Sequence, residues 1–182
     1  WSSDVCSSDL IPFCENPKSS KKSLYKVSDP FMDFYFHFVV PNRSLIELGR
    51  SGFVTDAICS QFSRYVSAWW EKLCRQAVSG GVIGGDMYNL AGRWWGNVSR
   101  DEAIELDVVA QSIDGKKLLV GECKWTEGED AGRLIYELTA KARKLPFLKG
   151  QEIVPVLFLK QKPLRESDAL VITPQEIIDA IG

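Results

Sequence analysis

The chain has 182 residues, of which 45% are apolar and 25% charged, with a net charge of −2 at neutral pH. That length supports one sizeable core and is short for two domains. The near-neutral balance excludes a generally basic nucleic-acid binder. No run of about twenty apolar residues is present to cross a membrane, and no stretch has the charged start and small-residue cleavage site of a signal peptide. Five cysteines without a Cys-x-x-Cys spacing, with His37 as the single histidine, exclude a structural zinc site. The expectation is a protein with reduced thiols in the cytoplasm.

Residues 1–10, Trp-Ser-Ser-Asp-Val-Cys-Ser-Ser-Asp-Leu, resemble a translated sequencing-adapter string and are set aside as non-native, with no packed structure expected of them and a natural gene that extends further upstream. Residues 11–28 read as a strand, a polar turn at 16–22 and a second strand at 24–27. This pattern looks like the wing hairpin of a winged-helix domain whose helices are missing. Its basic turn suits either a phosphate backbone or plain solvent.

A domain over 29–182 follows. Asp29-Pro30 opens a helix, with Asp as N-cap and Pro at the first position. Phe31, Phe34, Tyr35 and Phe38 form an aromatic stripe expected to pack in the core, with His37 structural beside it. Pro41-Asn42 is expected to end that helix. A longer helix is predicted over 53–78, with Ile58, Phe62, Tyr65, Trp69 and Leu73 on its apolar face. Glu71 falls nearly opposite, in line with Ser67, Cys74 and Val78, and spacing alone leaves its surroundings open. Gly80-Gly81 and Gly84-Gly85 interrupt the chain before a short strand at 93–95. No Gly-x4-Gly-Lys-Ser/Thr occurs, so no P-loop ATP site is expected.

Ile104 to Ala110 and Lys117 to Trp125 are two apolar strands around Asp114-Gly115, a strong hairpin signal. If Ile113 pairs with Lys116, opposed residue numbers sum to 229, and a symmetric four-residue loop keeps that register. Asp107 then faces Glu122, and Glu105 faces Lys124. Alternation sets Glu105, Asp107, Glu122 and Lys124 on one face and Leu106, Val108, Leu119 and Cys123 on the other. Opposed carboxylates stay ionised side by side only when a cation neutralises them, which suggests a divalent metal site. A hairpin with one solvated face would carry the same charges. Beyond it, a helix over 129–144, strands over 153–160 and 169–172 and a terminal helix over 174–181 complete an α/β sandwich around a mixed sheet.

At Asp107, Glu122-Cys123-Lys124 and Glu71 the chain resembles the PD-(D/E)XK nuclease superfamily. The succession Ser28-Asp29-Pro30-Phe31, Arg93-Trp94-Trp95-Gly96, Glu105-Leu106-Asp107-Val108-Val109 and Gly121-Glu122-Cys123-Lys124-Trp125 is similar to one family, the domain of unknown function numbered 234 at the C-terminus of archaeal-type P-loop ATPases. The likeness spans roughly residues 25–158, and the family's usual Ile between the acidic pair is Leu106 here. It implies a restriction-endonuclease-like three-layer sandwich with Glu71 turned toward the hairpin. It further implies Asp107, Glu122 and Glu71 as ligands for Mg²⁺ or Mn²⁺, with the Cys123 carbonyl as a further ligand. Lys124 would orient the attacking water or offset negative charge, and Glu105 would tether that lysine.

Charge is distributed unevenly: residues 101–130 hold nine acidic and three basic side chains, and residues 131–165 hold eight basic and two acidic. A metal site beside a phosphate-binding surface has this asymmetry, and so does a domain with internally complementary charges. Three functions remain open: a Mg²⁺-dependent nuclease acting on DNA or RNA, a catalytically silent module that regulates an upstream ATPase or binds a partner protein, and a DNA-binding accessory that uses the wing.

Overall fold

A computed structural model describes residues 8–15, 24–163 and 168–181. Strand β1 (Ser8–Leu10) pairs antiparallel with β2 (Leu24–Lys26), Ser8 opposite Lys26. The first strand of the expected wing therefore lies upstream of Ile11, inside the segment set aside, and its turn at 16–22 falls outside the described residues. Ile11 and Pro12 take no part in the ladder, for which proline has no N–H to donate. Phe13 turns onto the body of the domain instead. Its N–H donates to the Arg93 carbonyl at 2.8 Å, and its ring lies 5.7 Å from that of Phe147.

Helix α1 (Pro30–Phe34) begins as expected, with the Asp29 carboxylate accepting the Met32 N–H at 2.8 Å. Pro41-Asn42 does not end the helical path. A π turn (Tyr35–Val39) and a 3-10 turn (Val40–Asn42) lead into α2 (Arg43–Glu47), and Pro41 sits in the first turn of its new segment, where a missing N–H costs little. Only half of the aromatic stripe is packed. Phe34 and Phe38 meet Tyr65 at ring distances of 5.8 and 5.5 Å, whereas Phe31 is 71% exposed and His37 lies on the surface.

Helix α3 (Ser51–Val78) contradicts the expected apolar face. Val54, Trp70, Cys74, Ala77 and Val78 are buried, while Phe62 and Leu73 are exposed. A 28-residue helix is about 42 Å long and outruns any strand of this sheet. Its last turns therefore cross the sheet with the Trp70-Cys74-Val78 side, and its middle offers Tyr65 and Trp69 to α1, where Trp69 Nε1 donates to Asp33 at 3.0 Å.

A small hairpin, β3 (Val82–Ile83) and β4 (Asp86–Met87), turns at Gly84-Gly85, both at positive φ. The main sheet follows, in the order β5 (Gly92–Asn97), β6 (Ala103–Gln111), β7 (Lys117–Lys124), β8 (Glu152–Leu159), β9 (Leu170–Ile172). The first three strands are antiparallel and the last three parallel, with α4 (Ala131–Ala142) connecting β7 to β8. Helices α3 and α5 (Pro174–Ile181) cover one face over Cys74, Val108, Leu119, Phe158 and Ile177. Helix α4 covers the other, over Leu106, Val109, Val120, Leu134, Leu138 and Leu157. The result is a mixed α/β fold with a five-stranded mixed sheet packed against helices. Among the described residues, no helix is long and apolar enough to cross a membrane.

Candidate functional site: a cleft of carboxylates and lysines

The β6–β7 register is the one expected. Val108 opposes Gly121, Val109 opposes Val120, Ala110 opposes Leu119 and Gln111 opposes Leu118, every pair summing to 229. The turn is the four-residue alternative: the Ser112 N–H donates to the Lys117 carbonyl at 3.0 Å, and the Ser112 hydroxyl reaches Asp114 at 2.7 Å. Asp107 and Glu122 come next along the ladder and mark where regular pairing stops.

A bulge modifies the expected faces. Gly92 opposes Val109 and Trp94 opposes Leu106, so two steps along β5 match three along β6. The additional residue at Asp107-Val108 breaks the alternation. Leu106 packs on the α4 side and Val108 on the α3 side, with Leu119 and Cys123, so these four do not share one face. Glu105 does not tether Lys124 either; it forms an ion pair with Arg93 of β5.

Glu71, Asp107, Glu122, Cys123 and Lys124 line one cleft of about 700 Å³. The Asp107 carboxylate accepts the Cys123 N–H at 2.8 Å, bridging the two strands where the ladder ends. Lys124 Nζ donates to Glu122 Oε1 at 2.7 Å. From α4, Lys141 Nζ lies 3.4 Å from Glu122 Oε2, so both oxygens of that carboxylate meet an amine. On α3, Arg75 donates to the Asp107 carbonyl at 2.8 Å and lies 3.7 Å from Glu71, one turn before it.

Burial pushes the Asp107 carboxyl up from 3.8 to about 6; the Cys123 N–H opposes this, while Glu122 and Glu71 reinforce it. For Lys124, partial burial disfavours the charge, but the hydrogen bond to Glu122 and the surrounding carboxylates outweigh it and hold the amine above its ordinary value. Burial beside Cys74 pushes the Cys123 thiol far up, so this side chain is a neutral core residue. What Cys123 offers the cleft is backbone.

Among the described residues, no three His, Cys, Asp or Glu side chains gather into a ready-made metal cage. The donor set fits Mg²⁺ nonetheless, because that ion is commonly held by one or two carboxylates and completes its octahedron with waters and substrate oxygens. Asp107, whose carboxylate is desolvated and accepts the Cys123 N–H, is the group an added ion would relieve.

Arg75, Arg93 and Lys141 were absent from the expected site. Arg75 had a signal in its i,i+4 spacing from Glu71, and Lys141 belongs to the basic stretch 131–165 that the charge asymmetry set against the acidic hairpin. The charge asymmetry resolves partly into internal pairs: Lys141 with Glu122, Lys144 with Glu102 and Lys160 with Glu127 all join the basic segment to the acidic one.

These features define a mixed α/β domain with an acid-and-lysine cleft where β6 and β7 part. Residues 35–138 match the DUF234 family, described as archaea bacterial proteins of unknown function, and the chain belongs to that family. It is 33% identical over 148 residues to an uncharacterized protein, MJECL04, of Methanocaldococcus jannaschii, a match that covers 78% of this chain but 31% of that protein. Protein VC1899 from Vibrio cholerae, known from a crystal structure, is 22% identical over 64% of this chain and 31% of its own, at a TM-score of 0.39. That likeness is too slight to carry an argument. The chain thus spans less than a third of the curated relative it matches.

Proposed function

We propose that this chain carries a restriction-endonuclease-like domain of the PD-(D/E)XK type that hydrolyses phosphodiester bonds in DNA or RNA with Mg²⁺ or Mn²⁺. The observation that supports this best is the meeting of Glu71, Asp107, Glu122 and Lys124 in one cleft, with Asp107 desolvated and Lys124 on Glu122. Asp107 and Glu122 would hold the ion, Glu71 a second ion or an ordered water, and the Cys123 carbonyl is a further donor by family resemblance. When bound, the ion supplies Lewis-acid stabilisation of negative charge on the phosphate. Lys124 would orient the attacking water or offset the negative charge that develops in the transition state.

A second reading keeps the fold and drops the chemistry: a silent module that regulates an upstream ATPase domain or binds a partner protein. It is favoured by one observation, the two amines already on Glu122. Mn²⁺ titration by calorimetry, on wild type and Asp107→Ala, separates the two when combined with cleavage assays on single-stranded, duplex and branched DNA and RNA. The nuclease reading expects binding that Asp107→Ala abolishes and cleavage that Lys124→Ala reduces. Ion binding without cleavage of any of these substrates favours the silent module.

A further inference from the structure

We propose that Lys141 is an exchangeable counterion of the cleft: it neutralises Glu122 while no metal is bound, and passes to a phosphate oxygen of the nucleic-acid strand once a divalent ion takes its place. This rests on the reading of the cleft as a metal site and adds to it a residue outside the Asp and Glu-x-Lys pattern.

The argument begins with Glu122, whose side chain is 13% exposed and whose two oxygens face different amines. Lys124, two residues away on the same strand, holds Oε1 at 2.7 Å, and Lys141 approaches Oε2 from a separate layer at 3.4 Å. Were Asp107 and Glu122 to hold a divalent ion, its charge would fall beside the amines already on Glu122, and repulsion between the cations would weaken their hold on the carboxylate. The longer contact is the weaker and yields first.

Lys141 is built for such a move. Its backbone is fixed, because α4 is anchored to the sheet through Leu134, Leu138 and Ala142. Its side chain is 36% exposed, enough to swing within the cleft it lines. Displaced from Glu122, the amine remains tethered beside the metal and without its carboxylate. A phosphodiester oxygen, the anion that metal-bound substrate brings, supplies a new partner of the same charge.

Counterion exchange predicts effects of opposite sign in two measurements, whereas a merely structural lysine moves both the same way or neither. Lys141→Met is expected to bind Mn²⁺ alone about two- to fivefold more tightly by calorimetry, the range of a partly exposed ion pair. With Mn²⁺ present, it should bind a short fluorescein-labelled single strand of DNA more weakly. Lys141→Arg, which keeps the charge, should return Mn²⁺ affinity toward wild type. Lys144→Met, which removes a pair with Glu102 outside the cleft, should change neither. Circular dichroism and melting curves establish that each variant is folded. Mn²⁺ binding to wild type that Lys141→Met leaves unchanged or weakens overturns the exchange and spares the metal site. Absence of Mn²⁺ binding to wild type and variant alike overturns the metal reading, and the exchange with it.

Discussion

Replacing Asp107 by asparagine should stabilise the metal-free protein at neutral pH, although it removes the central charged group of the cleft. The carboxyl titrates at about 6 in the folded protein against 3.8 for the free group. At 1.36 kcal/mol per pH unit, the gap of roughly two units sets the cost of keeping it ionised at about 3 kcal/mol. Below about pH 4 the group is protonated in folded and unfolded chains alike and contributes no pH-dependent difference. Between about 4 and 6 the unfolded chain releases its proton first, so stability falls as pH rises, and above about 6 the whole penalty is present. Asparagine keeps the shape and an acceptor for the Cys123 N–H but does not titrate. After a deduction for exchanging a charge-assisted hydrogen bond for a neutral one, about 2 kcal/mol remains. For a chain of this size that is roughly 4–8 °C in Tm. Thermal denaturation followed by circular dichroism in chelator, over a pH series, measures it. An Asp107→Asn variant no more stable than wild type at about pH 7.5, or an advantage that persists below about pH 4, would refute the desolvation argument. Saturating Mn²⁺ should reverse the order, stabilising wild type by about 2.7 kcal/mol at a hundredfold excess over Kd and leaving the variant nearly unchanged.

Gly121→Ala should destabilise by about 1–3 kcal/mol or more through overpacking, because its Cβ would lie 2.7 Å from the Phe158 ring and 2.8 Å from Val108; urea unfolding measures it, and a neutral result would mean that β8 shifts freely. Arg75→Ala removes the donor to the Asp107 carbonyl at the bulge and should cost about 1–3 kcal/mol, also visible in urea unfolding. Lys124→Ala should leave Mn²⁺ binding in place while turnover falls by about 10² or more, and loss of both together would make the lysine structural. Deleting residues 1–10 should change Tm by less than about 2 °C, since the only described structure it removes is a three-residue strand of a two-stranded ribbon, a marginal unit on its own; a larger drop would place the segment in the fold.

Local patterns were legible in the chain. The Asp114-Gly115 signal and the apolar runs on either side determined the β6–β7 register, because pairing in a hairpin follows from the turn and from which residues avoid water. Asp29 and Pro30 marked the start of α1 for an equally local reason, a carboxylate within reach of the Met32 N–H. What depended on distant neighbours was not legible. The bulge at Asp107-Val108 arises from pairing with β5, on the far side of β6 from the hairpin, so alternation within β6 could not reveal it. The buried side of α3 was decided by what lies beneath it: the sheet at Trp70 and Cys74, and α1 at Tyr65 and Trp69. Arg75 and Lys141 reach the cleft because α3 and α4 pack on opposite faces of the sheet, and only that packing brings side chains 32 and 19 residues from their partners into contact. Spacing along a chain encodes turns and faces; the convergence of charges from separate layers exists only after the layers have packed.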